Sequence, residues 1–247
     1  MFPTGGDDAS DGKSINVTSD HFNEVKNNLR FAGPEGWAVI SDIDDTVKIT
    51  GTTEPTKVLE STFADLPKVT DGMPDFYQTL EQEFSHPAWF YLSASPYNLY
   101  PFLRKFLLEH YPPGTIILRD SSWMYFGGLL QSFTEGVQQY KTDRGEKVHG
   151  WLPSRKFICI GDSTQADPET YAALYKKFPG WIKAIYIRKV LGLAFMEEKN
   201  KPERFTKTFE GIPETVWKVF EHPSELSDHV KNVASGATAD AVPVHQT

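Results

Sequence analysis

The sequence lacks a disulfide framework, a long apolar run and an excess of positive charge, and each absence narrows the range of functions. Its single cysteine, Cys159, lies within the apolar stretch 157–160 and is expected to be a buried thiol. No apolar segment reaches the roughly 20 residues that span a bilayer. The seven histidines show no ligand spacing, so we assign none to zinc or to catalysis. The net charge of −8 gives no general attraction to phosphate backbones, so we expect no nucleic-acid partner.

Two features of the N-terminal region bear on the compartment, and they point in different directions. The N-terminus lacks the basic and apolar segments of a signal peptide, which predicts a cytoplasmic protein. Asn16, followed by Val and Thr, matches the glycosylation acceptor pattern. A secreted or vacuolar protein that has lost an N-terminal segment therefore stays open as an alternative.

The sequence does contain five short β-rich stretches, separated by helical patterns. The predicted strands cover residues 37–42, 88–93, 115–119, 157–160 and 184–187. The helices predicted between them cover about 71–84, 96–111, 143–152 and 167–178. Strands that alternate with helices form a mostly parallel sheet with helices on both faces. We therefore expect an α/β fold, a three-layer, Rossmann-like parallel sheet of about five strands with a small or absent cap.

The N-terminal region is predicted to carry little structure. Residues 1–19 are rich in Gly, Asp, Ser and Thr, which indicates a mobile tail. A short helix is expected from Ser19 or Asp20 as its cap, through Val25 and Leu29, to an end near Gly33 and Pro34. The connection 47–71 is too long for an ordinary loop between a strand and a helix, and such loops are typically functional.

The C-terminal region is predicted to be simple as well. After residue 192 we expect one helical patch at 213–220 and a loosely ordered tail over 223–247. The predicted domain therefore covers residues 20–222.

The first predicted strand ends in a group of acids. Asp42, Asp44 and Asp45 follow its apolar residues, with the hydroxyl of Thr46 next to them. Carboxylates at positions i and i+2 leave a strand on the same side, so Asp42 and Asp44 repel each other. A hard divalent cation such as Mg²⁺ relieves that repulsion and takes carboxylate, water and phosphate oxygens as ligands. The alternative is an ordinary acidic turn after a strand.

Polar and charged residues also follow the other four predicted strands. They are Ser93 and Ser95, then Arg119 and Asp120, then Asp162 with Asp167 further along, and finally Arg188. Because the carboxyl ends of parallel strands lie at one edge of a sheet, we expect these side chains to gather there. Carboxylates for a cation, with hydroxyls and guanidinium groups for an anion, suit phosphoryl transfer.

Four of these segments resemble the motifs of the haloacid-dehalogenase-like phosphatase superfamily. They are Asp42-Ile-Asp-Asp-Thr46, the serine that ends the second strand, a lysine before the fourth strand, and Gly161-Asp-Ser163. Within that superfamily, residues 91–97, 118–120, 161–171 and 185–188 closely resemble the catalytic domain of the fungal actin-patch-protein type of Mg²⁺-dependent phosphatidate phosphatase. That family is related to the lipins in its chemistry. The resemblance covers roughly residues 35–190.

The resemblance implies a role for each residue at a matching position. Asp42 would be the nucleophile that forms an aspartyl-phosphate, and Asp44 the acid that protonates the leaving alkoxide and then activates water. Asp162 would complete a Mg²⁺ site with the Asp42 side chain and the Asp44 backbone carbonyl. Ser93 would hydrogen-bond the transferring phosphoryl group, and Thr46 would support the turn.

Two further residues have more than one reading. For the family's lysine we choose Lys141 over Lys147, because a helix from about 143 to 152 would leave the Lys141 amine near the sheet edge. Asp167 either holds the fourth loop or the waters of the metal, or it caps the following helix.

The candidates for binding the substrate phosphate are Thr46, Ser95, Arg119 and Arg188. The two arginines either grip phosphate bidentately or pair with Asp120 and other acids at the same edge.

Three functions remain open. The first is hydrolysis of phosphatidate to diacylglycerol and phosphate at a peripheral membrane surface. The second keeps the chemistry and takes a soluble phosphomonoester as the substrate. The third is a catalytically idle domain that binds actin-patch or membrane-trafficking proteins, as the family's name suggests. Asp42 and Asp44 argue against the third, because a scaffold has no need of two acids that repel each other.

The segment 122–130 is the candidate for contact with a lipid surface, because it follows the third strand and is aromatic and apolar. Its residues Trp123 and Phe126 either enter the headgroup and acyl region or pack over the sheet as a cover.

Overall fold

The computed structural model describes residues 11–19, 22–49, 68–120, 136–192 and 196–237 of the chain. The strands in these ranges are β1 (Ser14–Ser19), β2 (Phe22–Arg30), β3 (Trp37–Asp42), β4 (Lys48–Ile49), β5 (Lys68–Val69), β6 (Ala88–Pro96), β7 (Thr115–Arg119), β8 (Lys156–Asp162), β9 (Ile182–Arg188) and β10 (Trp217–Phe220). The helices are α1 (Met73–Glu83), α2 (Tyr100–His110), α3 (Val137–Trp151), α4 (Asp167–Lys177), α5 (Met196–Lys199), α6 (Pro202–Thr208) and α7 (Ser227–Ala234). Two 3₁₀ turns, Tyr97–Leu99 and Pro223–Leu226, precede α2 and α7.

A six-stranded parallel sheet forms the centre of the fold. The strand order is β10-β9-β8-β3-β6-β7, and every neighbouring pair is parallel. From β3 the chain first builds outwards through β6 to β7, and it then returns to build β8, β9 and β10 on the other side. The carboxyl end of β3 is therefore a switch point, where open α/β sheets bind their ligands. The expected Rossmann-like α/β fold with a parallel sheet is confirmed.

The sixth strand corrects the prediction for the C-terminal region. The sequence predicts a helical patch over 213–220, but the structure has β10 there, paired with β9 from Trp217 opposite Ile185 to Phe220 opposite Arg188. The aromatic and β-branched residues of β10 favour extended backbone, and the edge of β9 offers unpaired backbone groups. The helix prediction is wrong, and the sheet is one strand wider than expected.

Two apolar cores cover the faces of the sheet, because side chains alternate along each strand. On β3, Val39 lies in one core, while Ala38 and Ile40 lie in the other. Helices α1, α2 and α7 pack on the Val39 side, and α3, α4 and α6 on the opposite side. Removal of these apolar faces from water is the main favourable contribution to folding, and it produces the three layers.

The N-terminal region also differs from the prediction. Where a helix is expected through Val25 and Leu29, the structure has β2, which pairs antiparallel with β1 and places Leu29 opposite Ile15. The last residues of the expected tail 1–19 form β1. Positions four apart share one side of a helix and of a strand alike, so the spacing of Val25 and Leu29 does not distinguish the two. The helix prediction is wrong here too.

The C-terminal boundary of the domain lies later than predicted. The sequence predicts a loosely ordered tail from residue 223, but a 3₁₀ turn and α7 follow that residue. Leu226, Val230 and Val233 are buried in the core that α1 also lines. The boundary at residue 222 is therefore wrong, and α7 belongs to the domain. Residues 238–247 lie outside the described ranges.

Some expectations concern residues that the structure does not describe. The connection 47–71 begins and ends in a short antiparallel pair, β4 with β5, but residues 50–67 between these strands are outside the described ranges. The expectation of a small or absent cap in that connection, and the membrane contact predicted for the aromatic segment 122–130, therefore concern residues outside the described ranges. Within the described parts of the chain, no helix is long and apolar enough to cross a bilayer.

Candidate active site

The acids and hydroxyls predicted at the strand ends meet at the carboxyl edge of the sheet. Asp42 is the last residue of β3, and Asp162 is the last residue of the neighbouring β8. Ser93 and Ser95 lie near the end of β6, on the other side of β3. Because these three strands are adjacent and parallel, the four side chains reach one place, and all four are buried.

Lys141 lies between two acids of this edge. Its Nζ is 2.6 Å from Asp42 Oδ1 and 2.5 Å from Asp167 Oδ1, and its side chain is fully buried. Asp42 shares its side of β3 with Ile40, which faces the core beneath α3, so a residue of α3 is well placed to meet it. Burial alone would lower the pKa of Lys141, but Asp167 and Asp42 raise it above its ordinary value. The ammonium is therefore charged and bound to both carboxylates.

Lys147, the alternative candidate, does not reach the acids. It is exposed, and its Nζ lies 5.6 Å from the ring centroid of Trp151. The helix begins earlier than predicted, because α3 starts at Val137 and Lys141 lies in its second turn rather than ahead of it. Lys141 is thus the lysine that the fold brings to Asp42.

Three carboxylates form a pocket suited to a cation. Oxygens of Asp42, Asp162 and Asp167 lie within 4.8 Å of one another, and all three side chains are buried. The hydroxyl of Thr46 lies 3.2 Å from Asp42 Oδ2 and 3.3 Å from Asp162 Oδ2. A hydroxyl carries one hydrogen, so it donates to only one of these oxygens at a time. We call Asp42, Asp162 and Asp167 the acid cluster.

The charges of the acid cluster favour a bound cation. Burial raises the pKa of Asp42 well above its ordinary value; Lys141 opposes this shift and Asp167 adds to it. Burial, and then Asp167, raise the pKa of Asp162 to about 7. Three buried carboxylates beside one ammonium leave an excess of negative charge, which a proton or a divalent cation neutralises. With oxygen as the only donor type, the residues present fit a hard metal ion.

Asp44 lies beside the acid cluster and is held through both of its oxygens. Ser93 Oγ donates to Asp44 Oδ2 at 2.8 Å, and Ser95 Oγ donates to the same oxygen at 3.0 Å. Lys48 Nζ lies 3.1 Å from Asp44 Oδ1. Burial alone would raise the pKa of Asp44, but Lys48 and the two serines hold it below its ordinary value. Asp44 is therefore ionised in this arrangement.

Asp167 holds the loop that joins it to Asp162. Its Oδ2 accepts a hydrogen bond from the Asp162 amide at 3.1 Å. It is the first residue of α4, whose cap position is Ala166, so capping the helix is not its role. A Cβ on Gly161 would lie 2.6 Å from the Cβ of Asp167, so only glycine permits this approach. Of the two alternatives for Asp167, the structure has the one in which it holds the loop.

The two candidate arginines occupy different places. Arg188 ends β9 and donates from Nη1 to the carbonyl of Asp45 at 2.7 Å, which holds the turn after Asp44. Asp45 has a left-handed φ of 55°, which is uncommon for residues other than glycine, and the hydrogen bond from Arg188 helps to hold this conformation. The guanidinium of Arg119 lies 5.5 Å from the ring centroid of Tyr140, the residue before Lys141. A role in binding substrate remains a prediction for both arginines.

Sequence reasoning does not find two residues of this neighbourhood. Lys48 is buried in the turn after Asp44, and the available signal is a lysine four positions after an acid and between two apolar residues. Arg204 contacts the loop after Asp162 from α6, and no local pattern marks it, because the contact joins distant parts of the chain.

Fold and site together define a doubly wound α/β domain with a buried acidic site at the carboxyl edge of its sheet. The family described as phosphatidate phosphatase APP1, catalytic domain, matches residues 37–189, more than half of the chain, and the protein belongs to this family. The acid cluster, Asp44 and Lys141 lie within the matched residues, whereas Arg204 lies beyond them.

Two relatives show the extent of the similarity. The chain is 33% identical over 184 residues to phosphatidate phosphatase APP1 of Saccharomyces cerevisiae, an alignment that covers 70% of this chain and 30% of that protein. It is 35% identical over 161 residues to an uncharacterized protein of Schizosaccharomyces pombe, which covers 63% of this chain and 26% of that protein. The chain thus spans less than a third of the length of either relative.

Proposed function

We propose that the protein is a Mg²⁺-dependent phosphatidate phosphatase, which hydrolyses phosphatidate to diacylglycerol and phosphate through an aspartyl-phosphate on Asp42. The observation that carries this proposal is the contact of Asp42 with Lys141 inside the acid cluster, within the residues that match the family. The relative from Saccharomyces cerevisiae is named as a phosphatidate phosphatase, which supports the choice of substrate.

Asp42 supplies the nucleophile. One carboxylate oxygen forms a bond to phosphorus while the bond between phosphorus and the diacylglycerol oxygen breaks. The attacking carboxylate must be ionised. Lys141, with its Nζ 2.6 Å from Asp42 Oδ1, favours that form against the effect of burial.

Asp44 moves the proton in both half-reactions. It gives a proton to the departing alkoxide, and it later takes one from the water that hydrolyses the aspartyl-phosphate, which releases phosphate and restores Asp42. Before substrate binds, Ser93 and Ser95 donate to Asp44 and favour its ionised form. When these hydroxyls turn to the phosphoryl oxygens, Asp44 loses both hydrogen bonds and its pKa rises. Substrate binding and protonation of Asp44 are thereby coupled.

Asp42 and Asp162, together with the backbone carbonyl of Asp44, would hold the Mg²⁺ ion. When bound, this ion supplies positive charge that reduces the repulsion between the carboxylate and the phosphoryl oxygens. The hydroxyl of Thr46 donates to Oδ2 of either Asp42 or Asp162 and helps to orient these two acids. Asp167 stays bound to Lys141 and to the Asp162 amide, and so keeps the pocket in shape.

Exposed apolar side chains at the same edge of the sheet support a lipid substrate. Tyr97 follows β6 and is 64% exposed, Leu191 follows β9 and is 58% exposed, and Ile49 follows the Asp44 turn and is 45% exposed. Strands β6 and β9 are three spacings apart, about 14 Å, and β3 and β8, which end in Asp42 and Asp162, lie between them. Tyr97 and Leu191 therefore follow strands on either side of the acids. We call Tyr97, Leu191 and Ile49 the apolar rim. Tyrosine and aliphatic side chains of this kind enter the headgroup and acyl region of a membrane, which supports action at a peripheral membrane surface.

Phosphate release tests the proposal. Phosphatidate in mixed micelles is compared with a panel of soluble phosphomonoesters, each with and without Mg²⁺. The proposal expects Mg²⁺-dependent release that is faster from phosphatidate than from every soluble ester. Rapid turnover of a soluble ester without turnover of phosphatidate would contradict the lipid substrate and keep the mechanism. Release that does not need a divalent cation would contradict the metal site.

A further inference from the structure

The loop between Asp162 and Asp167, residues 163–166, is held from outside by the segment that follows the family match. Arg204 of α6 is the main contact. Its Nη1 donates to the carbonyls of Ser163 at 2.7 Å and Lys199 at 3.1 Å, and its Nη2 donates to the carbonyl of Gln165 at 2.7 Å. The other two hydrogen bonds go to the Glu169 carboxylate, from Nη2 to Oε2 and from Nε to Oε1, each at 2.9 Å. A guanidinium has five N–H groups, so this arginine uses every one of them.

The remaining carbonyls of the loop are bound as well. Lys199 of α5 donates from Nζ to the carbonyl of Thr164. The carbonyl of Ala166 accepts from the Thr170 amide at 2.8 Å, in the first turn of α4. Each of the four loop carbonyls therefore accepts a hydrogen bond, and three of these bonds come from cationic side chains. Hydrogen bonds from charged donors are stronger than neutral ones, so the backbone of this loop is fixed in one conformation.

One peptide group connects Arg204 to the carboxylate of Asp162. The carbonyl of the peptide between Ser163 and Thr164 accepts from Arg204 at 2.7 Å, and its N–H, which belongs to Thr164, donates to Asp162 Oδ1 at 2.5 Å. The C=O and N–H of a planar trans peptide point in opposite directions. An arginine that fixes the carbonyl therefore aims the N–H at Asp162. Because Oδ1 is held in this way, the other oxygen, Asp162 Oδ2, faces Thr46 and Asp42.

We infer that Arg204 is a positioning residue for the metal site, which orients the Asp162 carboxylate through the peptide between Ser163 and Thr164. Glu169 fixes the plane of the guanidinium through its two carboxylate oxygens, so Arg204 and Glu169 act as one unit that we call the loop clamp. Mutation of a residue that orients a metal ligand without binding the metal itself typically costs about 10–100-fold in metal affinity or activity. This inference rests on the metal site of the proposed function, but it does not depend on the identity of the substrate.

Arg155 offers a matched control, because it is an arginine of the same kind at the opposite edge of the sheet. It is buried, and it donates to the carbonyls of Gly33 and Trp37 and to Asp11. Arg155→Met removes several hydrogen bonds from the fold but none from the loop 163–166. It therefore reports what the loss of a structural arginine does to stability without a change at the acid cluster.

The test measures binding of Mn²⁺ alone, in place of Mg²⁺, to the whole chain by electron paramagnetic resonance of the free ion. Arg204→Met is expected to weaken Mn²⁺ binding about 10–100-fold. Arg204→Lys should weaken it by less than Arg204→Met, because a lysine keeps the charge, but it should not restore wild-type binding, because it reaches fewer carbonyls. Arg155→Met is expected to lower the melting temperature and leave Mn²⁺ binding as in the wild type. Hydrogen exchange of the amides in 163–166 should rise in Arg204→Met and not in Arg155→Met.

The possible outcomes separate this inference from the proposed function. A folded Arg204→Met protein that binds Mn²⁺ as tightly as the wild type overturns the inference and leaves the proposed metal site standing. A wild type that binds no Mn²⁺ overturns both. If Arg204→Met does not fold, Glu169→Gln takes its place, since the amide keeps one oxygen that accepts from the guanidinium and loses the other acceptor and the negative charge. Unchanged Mn²⁺ binding in Glu169→Gln would then overturn the inference in the same way.

Discussion

The ammonium of Lys48 lies 3.1 Å from Asp44 Oδ1, while Ser93 and Ser95 donate to Oδ2 of the same carboxylate. The proposed proton carrier therefore begins each cycle as an ion with both oxygens occupied. Burial works against this charge and raises the pKa of Asp44, and Lys48 is the largest influence that lowers it again. The charge state of Asp44 thus depends on Lys48 of β4, which lies outside the six-stranded sheet.

Lys48→Met is expected to raise the pKa of Asp44, because it removes the largest influence that opposes the effect of burial. Titration of the Asp44 carboxyl carbon by nuclear magnetic resonance in the metal-free protein measures this. A carboxyl with a depressed folded-state pKa stabilises the fold above its ordinary value of 3.8 and loses that contribution as the pH falls. The variant should therefore be less stable than the wild type at neutral pH. Lys105→Met, on the exposed face of α2, is the control, and an identical titration in both variants would contradict the account.

Lys141→Met is expected to destabilise the protein and to abolish phosphate release. It leaves Asp42 and Asp167 buried without the ammonium that binds both, and breaking a buried pair in this way costs about 3–5 kcal/mol. Urea unfolding measures the stability. Lys147→Met is the matched control, since Lys147 belongs to the same helix but is exposed, and it should behave like the wild type. Wild-type stability in Lys141→Met would mean that the contact with the two acids contributes little.

The gain in melting temperature from Mg²⁺ is expected to grow with pH. Burial and Asp167 raise the pKa of Asp162 from 3.8 to about 7, so the folded metal-free protein keeps a proton that the unfolded chain has lost. That raised pKa stabilises the fold at low pH, and the contribution falls as the pH rises through about 7. Bound Mg²⁺ replaces the proton, so the gain should be larger at about pH 8 than at about pH 5.5. Asp162→Asn should show little gain at either pH, and an equal gain in that variant would remove Asp162 from the metal site.

The apolar rim is expected to carry membrane contact. Replacing Tyr97 and Leu191 together by Ser should keep the melting temperature, because both are exposed, and should reduce vesicle binding and phosphatidate turnover. Leu108→Ser is the matched control, since Leu108 is 52% exposed near the end of α2, which leads to the start of β7 and so lies at the amino edge of the sheet. Vesicle binding that is the same in the rim variant and in Leu108→Ser would assign membrane contact to another surface.

The position of the site follows from the sequence more directly than its internal contacts do. Asp42, Ser93 and Asp162 each end an apolar stretch, and a parallel sheet brings such ends together whatever the details of packing. Lys141 is chosen because a helix from about residue 143 would leave its amine near the sheet edge, and the structure does bring it to Asp42, although from inside α3 rather than from ahead of the helix. The errors lie where an element depends on a partner strand: β2 forms a hairpin with β1, and β10 adds to the edge of β9, and the periodicity of β2 or β10 alone does not show either pairing.

The contacts that tune the site are the least accessible to sequence reasoning. Lys48 follows Asp44 by four positions, but only the folded turn shows that it is buried against that acid rather than in solvent. Arg204 is an ordinary helix residue in the sequence, and its role comes from hydrogen bonds to the loop 163–166, which is distant from it along the chain. Contacts of this kind depend on how whole elements pack, which periodicity and motif spacing do not describe.

The central claim is that Asp42 forms a covalent bond to the phosphoryl group, and chemical trapping tests it most directly. The reaction with phosphatidate and Mg²⁺ is quenched in acid, the protein is reduced with borohydride, which converts an aspartyl-phosphate to homoserine, and peptides are examined by mass spectrometry. The account predicts homoserine at position 42 in the wild type, none in Asp42→Asn, and no phosphate release from that variant, because an amide is not a nucleophile for this reaction. Phosphate release from Asp42→Asn at a rate near that of the wild type would contradict it.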